Sequence, residues 1–378
     1  MRILFDARVL KKNPSGVGTV VLKLLSHLEK RSDLDIIALT QRGVSEIEGL
    51  SRTKVYELDF EYQFVGKERF DFEQKQLPQI VHDVNPDIIH FGDSFGAPIS
   101  LKKDIKVINT LHDLIPLTKF GELMTGVEFG YYQDSIKQTL ERVDRIVCIS
   151  KFTNKDLDKF FPEYGRKAVV IYNGIDKPIL ENSCSKKWIM DKYGLLKDYI
   201  LYIGGFSPRK NIPRLLEAFI KFNQNNNFRL LLPGRFSDKR QIVENITKIR
   251  KIISESGQKE NIILCDFIPE SDKNCLLKNA KIFVYPSLYE GFGLPVLEAL
   301  SLGTPVITSE KSAMAEIGAG GVIFFNPTDE DDIISAINTM LKNYDRLKET
   351  AQKNKNKILD KFNWSKVADE YYGVYKSI

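Results

Sequence analysis

No two cysteines in this chain are spaced C-x-x-C, and no apolar run approaches the ~20 residues that a bilayer-spanning helix needs. The four cysteines, Cys148, Cys184, Cys265 and Cys275, are scattered, which argues against a disulfide scaffold and for a reducing, cytoplasmic compartment. Cys148 in "RIVCIS" and Cys265 in "NIILCDF" read as small buried hydrophobes. The amino-terminal "MRILFDARVL" enters a strand pattern with no signal-peptide core or cleavage site. A membrane, if one is involved, is therefore expected to be met at its surface. Short-period repeats and low-complexity segments are absent, and the run "NQNNN" at 223–227 reads as a loop after a helix. The charge balance is only mildly basic, 55 lysines and arginines against 50 acids, for a net +5. That suits phosphorylated ligands or an anionic membrane surface, and lacks the concentrated positive field of a nucleic-acid binder.

What is present is a long chain of ordinary globular composition, 378 residues with 43% hydrophobic and 28% charged. Two domains are expected at this length. Short runs rich in Val, Ile and Phe alternate with helical patterns. The first set is "RILFDA", "DIIAL", "KVYEL", "DIIHF", "KVINTL", "RIVCI" and "AVVIYN"; the second is "YILYIG", "FRLLL", "NIILC", "KIFVYP", "PVITS" and "GVIFF". Helices are predicted over 17–31, 72–83, 126–143, 211–225, 238–256 and 329–343. Continuous apolar strands separated by helices predict parallel sheets covered on both faces. Residues 174–198, with Gly, Pro, Ser and mixed charge, separate the two sets. The expected fold class is α/β, two doubly wound domains over 1–177 and 178–362, with ligand where the carboxyl ends of the strands face a cleft. The amphipathic tail 363–378 is expected to pack back on the first domain.

The stretch "YEGFGLPVLEAL" (289–300) puts Glu290 before a glycine-rich turn and Glu298 after it. Pro295 suits the first position of a helix over 295–302 and Gly303 its end, which places Glu298 in the first turn. A carboxylate there is favoured by the helix dipole by ~0.3–1 kcal/mol, so a purely structural role is available. It leaves "EGFG" unexplained. Two glycines let backbone N–H groups approach an anion, and a helix start adds its own. A strand end, an acid, a glycine turn, a helix and a second acid suit a ligand with phosphates and hydroxyls. A sugar nucleotide has both.

"YPSLYEGFGLPVLEALSLGTPVITS" resembles the signature of the group 1 retaining glycosyltransferases, with two glutamates separated by seven residues. The resemblance continues through "YIGGFSPRKNIPRLLEAF", "AKIFVYPS", "TLHDLIPL", "CISKFT" and "YNGID", nearly the whole chain in the family's order. It implies the GT-B arrangement of two Rossmann-like domains, the first selecting acceptor and the second binding the donor nucleotide. It implies that Glu298 binds the donor's ribose hydroxyls and that Glu290 sits by the transferred sugar. The N–H groups of Phe292, Gly293 and Leu294 are expected at the sugar and diphosphate.

In "SPRKN", Arg209 and Lys210 follow a strand, where two cations can neutralise a diphosphate leaving group; a solvated surface pair is the alternative. The resemblance makes Lys210 the firmer phosphate ligand. Where many relatives carry an arginine soon after the glycine, this chain has Gly205 followed by Phe206, and Arg235 is a substitute or a surface residue. His112 and Asp113 in "TLHDLIPL" stand at a strand end. His112 is assigned to holding the donor sugar, with general base as the lesser role. Asp113 orients the imidazole or binds acceptor. His27, His82 and His90 are read as structural. As a dinucleotide fingerprint "NPSGVGTVV" fails, because the third glycine is missing; the resemblance makes Gly16 and Gly18 donor-side candidates, with a plain tight turn as the alternative.

The D-x-D triplets at 33–35 and 156–158 are read as surface acids, and no metal or other cofactor is expected. The segment "DFEYQFVGKERFDFEQKQLPQIV" offers Phe60, Tyr62, Phe64, Phe70 and Phe72 among Lys67, Arg69 and Lys75. It reads equally as a membrane-surface segment and as a core segment with solvated charges. The wording "HDLIPL" resembles bacterial mannosyl- and related transferases of surface-polysaccharide assembly. That makes GDP-mannose the expected donor and a glycan or lipid-linked oligosaccharide the expected acceptor, with peripheral contact at the inner membrane surface. A UDP- or dTDP-sugar, a sugar-nucleotide 2-epimerase and a non-catalytic sugar-nucleotide-binding subunit are the alternatives.

Overall fold

In the computed structural model, residues 1–12, 14, 16–102, 104–121, 124–180, 184–195, 197–266, 268–318 and 321–378 are described. The chain divides into two compact units, Met1–Gly174 with Phe362–Ile378, and Ile175–Lys361.

The first unit is a seven-stranded parallel sheet. Its strands are β1 (Arg2–Asp6), β2 (Asp35–Thr40), β3 (Lys54–Glu57), β4 (Ile88–Phe91), β5 (Lys106–Leu111), β6 (Arg145–Cys148) and β7 (Ala168–Val170), in the order β3-β2-β1-β4-β5-β6-β7. The second unit is a six-stranded parallel sheet of β8 (Tyr199–Leu201), β9 (Arg229–Pro233), β10 (Ile262–Cys265), β11 (Ile282–Tyr285), β12 (Val306–Ser309) and β13 (Val322–Phe325), ordered β10-β9-β8-β11-β12-β13. Central strands such as "IIHF" and "IFVY" are buried along their whole length, which explains their unbroken apolar character.

In both sheets the chain runs outward in one direction, returns to the middle and continues in the other. The order therefore reverses between β1 and β4 in the first unit and between β8 and β11 in the second. In doubly wound sheets ligands bind outside the carboxyl ends of the strands on either side of such a reversal.

The tail helix Trp364–Lys376 belongs to the first unit and packs on the helix Val17–Leu28. Its buried side chains, Trp364, Val367, Ala368, Tyr371 and Tyr375, recur at helical spacing and form one apolar stripe. Inside the sheet, His90 of β4 meets this stripe: Tyr375 Oη lies 2.6 Å from Nδ1, and Thr110 Oγ1 lies 2.8 Å from Nε2. Burial and then the neighbouring His112 charge push the His90 imidazole down to about 3.

Cysteine usage departs from the sequence reading. Cys184 and Cys275 are joined as a disulfide in the second unit, tying the segment before the helix Lys186–Tyr193 to the helix Glu270–Asn279. Ninety-one residues of sequence separate them, so only folding brings them together. The expectation of a chain without a disulfide is corrected, and with it the argument from cysteine to a reducing compartment. Cys148 is buried, while Cys265 is only half-buried.

Candidate active site

The second unit gathers its chemistry at the two strands flanking the sheet reversal. After β8 the chain forms a short 3-10 turn, Pro208–Lys210, and then Asn211 adopts a left-handed φ of 61°. Asparagine tolerates that conformation, and its amide anchors the turn by donating to the carbonyls of Pro286 (3.2 Å) and Pro327 (2.7 Å). Leu288 N–H donates to Arg209 O at 2.8 Å, so the loops after β8 and β11 are fastened together.

That fastening puts three polar groups on one oxygen. Glu290 Oε1 lies 2.5 Å from Lys210 Nζ, 2.8 Å from Arg209 Nη1 and 3.3 Å from the Tyr285 hydroxyl. Lys210 also donates to Tyr285 Oη at 2.8 Å, and Arg209 to the carbonyl of Tyr289 at 2.9 Å. Glu290 is only 8% exposed. Burial alone pushes its carboxyl up, but Arg209 and Lys210 outweigh burial and hold it at about 2. Two cations on one carboxylate leave one net positive charge in the cluster. The reading of Arg209 and Lys210 as a solvated surface pair is excluded, because both converge on a buried acid.

Beyond Glu290, Gly293 takes φ 110°, a region closed to most side chains, and ends the loop at the helix Leu294–Ser301. Among the described residues nothing bonds the N–H groups of Gly293 and Leu294, which leaves two donors at the helix start. Phe292 beside them is buried. Ser312, also at positive φ (57°), accepts a hydrogen bond from Glu290 N–H at 3.0 Å. Gly205 opens onto free space, and its carbonyl accepts from Tyr202 Oη at 2.7 Å. Arg235 is exposed.

Glu298 is not in a first turn. The helix begins at Leu294, with Pro295 second, so Glu298 is the fifth residue and the dipole account loses its basis. Its carboxylate instead meets Lys273 Nζ at 2.7 Å.

The first unit holds the remaining candidates. His112 follows β5 and is buried; its N–H donates to Ser94 Oγ (3.2 Å) and its Nε2 lies 2.9 Å from Gly92 O. A carbonyl only accepts, so Nε2 carries a proton, and in the uncharged tautomer this selects, Nδ1 is the acceptor. The Gly92 carbonyl orients the imidazole, correcting that part of the Asp113 reading. Asp113 Oδ1 accepts instead from Ile115 N–H at 3.0 Å. Gly16, at φ 55°, caps the helix Val17–Leu28, and Gly18 is inside it. Asn13 and Ser15 of that turn lie outside the described residues.

At the carboxyl ends of β1 and β4 lies a buried ionic chain, which favours the core reading of the aromatic and basic segment. Arg8 pairs with Asp6 (2.8 and 2.7 Å) and with Glu73 (2.8 Å). Arg69 joins Glu73 (2.7 Å) to Asp93 (3.0 Å), and Tyr62 Oη donates to Asp93 at 2.5 Å. Phe72 is core and stacks on Phe60 at 4.7 Å. Of the aromatic and basic residues named in that segment, only Phe64, Lys67 and Lys75 stand well exposed. Asp33 and Asp35 are in surface ion pairs, but Asp156 is buried and burial pushes its carboxyl up to about 6, so it is no surface acid.

Lys273, Tyr285 and Ser312 escaped the sequence reading. Tyr285 had one available signal, its place at the end of β11 immediately before the turn.

Two doubly wound parallel-sheet units in one chain, with the candidate site at a sheet reversal, are the GT-B architecture of glycosyltransferases. Residues 190–357 match the family described as Glycosyl transferases group 1, and residues 14–177 match Glycosyltransferase Family 4. The chain belongs to the group 1 glycosyltransferases. It is 25% identical over 392 aligned residues to the O-antigen chain mannosyltransferase B of Escherichia coli, across 100% of both chains. It is 26% identical over 272 residues to the serotype-specific mannosyltransferase WbdA of Escherichia coli, covering 67% of this chain and 32% of that much longer one. The fold matches sucrose-phosphate synthase from Thermosynechococcus elongatus with a TM-score of 0.79 at 18% identity, over 100% of this chain and 98% of that one.

Proposed function

We propose that this glycosyltransferase moves mannose from GDP-mannose, without a metal and with retention of anomeric configuration, onto a hydroxyl of a glycan or lipid-linked oligosaccharide during surface-polysaccharide assembly. The observation that carries the reading is the convergence of Arg209 and Lys210 on buried Glu290, beside the unbonded N–H groups of Gly293 and Leu294. The mannosyl and polysaccharide parts rest on the names of the relatives. The reaction takes place on the cytoplasmic side, with peripheral contact at the inner membrane surface through the acceptor. The buried Arg69 and Phe72 lend that contact no support.

In this reading Lys210, Arg209 and the N–H groups of Phe292, Gly293 and Leu294 bind the diphosphate, and the positive charge that two cations leave over Glu290 does the work a metal does elsewhere. Gly205 leaves room beside it. The acceptor hydroxyl oxygen bonds to C1 of the sugar, the bond from C1 to the phosphate oxygen breaks, and that oxygen takes the hydroxyl proton. Glu290, ionised at any physiological pH, faces the positive charge that develops on the sugar. Glu298 holds the ribose. His112 accepts a sugar hydroxyl at Nδ1, with Gly16 and Gly18 on the donor side and Asp113 on the acceptor side.

Calorimetric titration with GDP, UDP and dTDP, with EDTA and then with magnesium, tests the donor. Tight GDP binding unchanged by EDTA is expected. Preference for UDP or dTDP reassigns the donor, binding only with magnesium overturns metal independence, and no binding at all overturns the site. Proton NMR of the product from GDP-mannose reads the anomeric configuration.

A further inference from the structure

The helix Glu270–Asn279 lies beside the helix Leu294–Ser301 in the second unit. Lys273, in its first turn, sends Nζ between two carboxylates, 2.7 Å from Glu298 Oε1 and 2.7 Å from Glu270 Oε1. The side chains differ in burial: Lys273 is 14% exposed, Glu298 25% and Glu270 75%. Lys273 is therefore held inside by Glu298 and steadied from the solvent side by Glu270. Among the described residues Glu298 has no other side-chain partner, so Oε2 is uncommitted.

We propose that Lys273 is the positioning residue for the donor ribose: it holds Glu298 Oε1 and thereby leaves Oε2 aimed as the acceptor of a ribose hydroxyl. The proposal rests on the reading of Glu298 as the ribose ligand. A carboxylate accepts a hydroxyl more strongly than a neutral carboxylic acid does. Glu298 is under pressure to become neutral, because burial pushes its carboxyl up while Lys273 pulls it back. Lys273 in turn is raised despite its own burial, through Glu298 and Glu270.

Lys273 and Glu270 are the charged groups that face Glu298. Among the described residues, β11, β12 and the helices Met314–Ile317 and Tyr344–Lys361, which also pack on its helix, bring none. Burial already holds the Glu298 carboxyl above its ordinary range; removing the ammonium pushes it further up, and Glu298 is then protonated over a wider range of pH. Affinity that depends on the ionised acid must return as the pH rises.

The test is titration of the purified full chain with GDP, and with UDP in parallel, from pH 6 to pH 9, for the wild type, Lys273→Met, Lys273→Arg, Glu298→Gln and the double variant Lys273→Met with Glu298→Gln. Lys273→Met is expected to bind about tenfold more weakly near pH 7, the loss of one charge-supported contact, and to recover toward wild type at pH 9. Lys273→Arg stays near wild type. Glu298→Gln loses affinity at every pH, and the double variant is no worse than Glu298→Gln alone. Wild-type affinity in Lys273→Met overturns the proposal, and so does a loss that pH does not relieve, which marks a packing role. Unchanged affinity in Glu298→Gln overturns the ribose reading itself and the proposal with it, so the two failures are told apart.

Discussion

Tyr375 closes on His90 at 2.6 Å across 285 residues of sequence, fixing the tail helix to the centre of the first sheet. Burial there disfavours a charged imidazole. His90 is held at about 3, below its ordinary 6.5, so its stabilisation is complete above about pH 6.5 and is lost as the pH falls toward 3. The slope is ~1.4 kcal/mol per pH unit inside that window. Denaturant melts of the first unit at pH 7 and pH 4.5 should show this. His90→Gln should be less stable at pH 7, but its further loss at pH 4.5 should be smaller than that of the wild type by about 2.5 kcal/mol. Parallel losses would remove His90 as the acid-sensitive group.

Glu290→Gln keeps the shape of the turn and removes the charge. GDP affinity should stay within about threefold while turnover falls by ~10²–10³, as when a group that meets developing charge is removed. Initial rates with saturating donor decide it. Wild-type turnover would take Glu290 out of the reaction.

The Asp6–Arg8–Glu73–Arg69–Asp93 chain is buried throughout, and Arg69 is bonded to two of its acids. Replacing one partner leaves the others charged and dry. Arg69→Met should therefore cost ~3–5 kcal/mol of stability in urea denaturation. A cost below about 1 kcal/mol would mean that the acids find other partners or water.

Thiol counting checks the Cys184–Cys275 bond. In denaturant without reductant, iodoacetamide should label Cys148 and Cys265 only, and all four cysteines after reduction. Cys184→Ser should lower stability by ~2–4 kcal/mol, the usual range for a bond closing a long loop. Four reactive thiols before reduction would show the pair to be open.

The sheets were legible because their strands are short, apolar without interruption and separated by helical patterns. The glutamates, Arg209 and Lys210 were legible because they flank strand ends in a family's order. The helix Tyr344–Lys361 was not, since "YDRLKETAQKNKNKILDK" buries only Ala351 and Ile358 and carries almost no apolar period. Glu298 was misplaced by one residue, enough to move it out of the first turn, because Pro295 is as acceptable second in a helix as first. Arg69 and Glu73 are four residues apart and look like a solvated helical pair. What buries them is Asp6, Arg8 and Asp93, brought in by strands elsewhere in the chain. Lys273 shows the same limit: nothing near it in sequence announces Glu298.

The tail helix has one more consequence, for synthesis. β4 and β5 emerge early from the ribosome, yet the surface that covers His90 and Thr110 is translated only after the whole of Ile175–Lys361. The first unit must wait through the birth of the second with an apolar flank uncovered, and it finishes folding after its younger neighbour has begun.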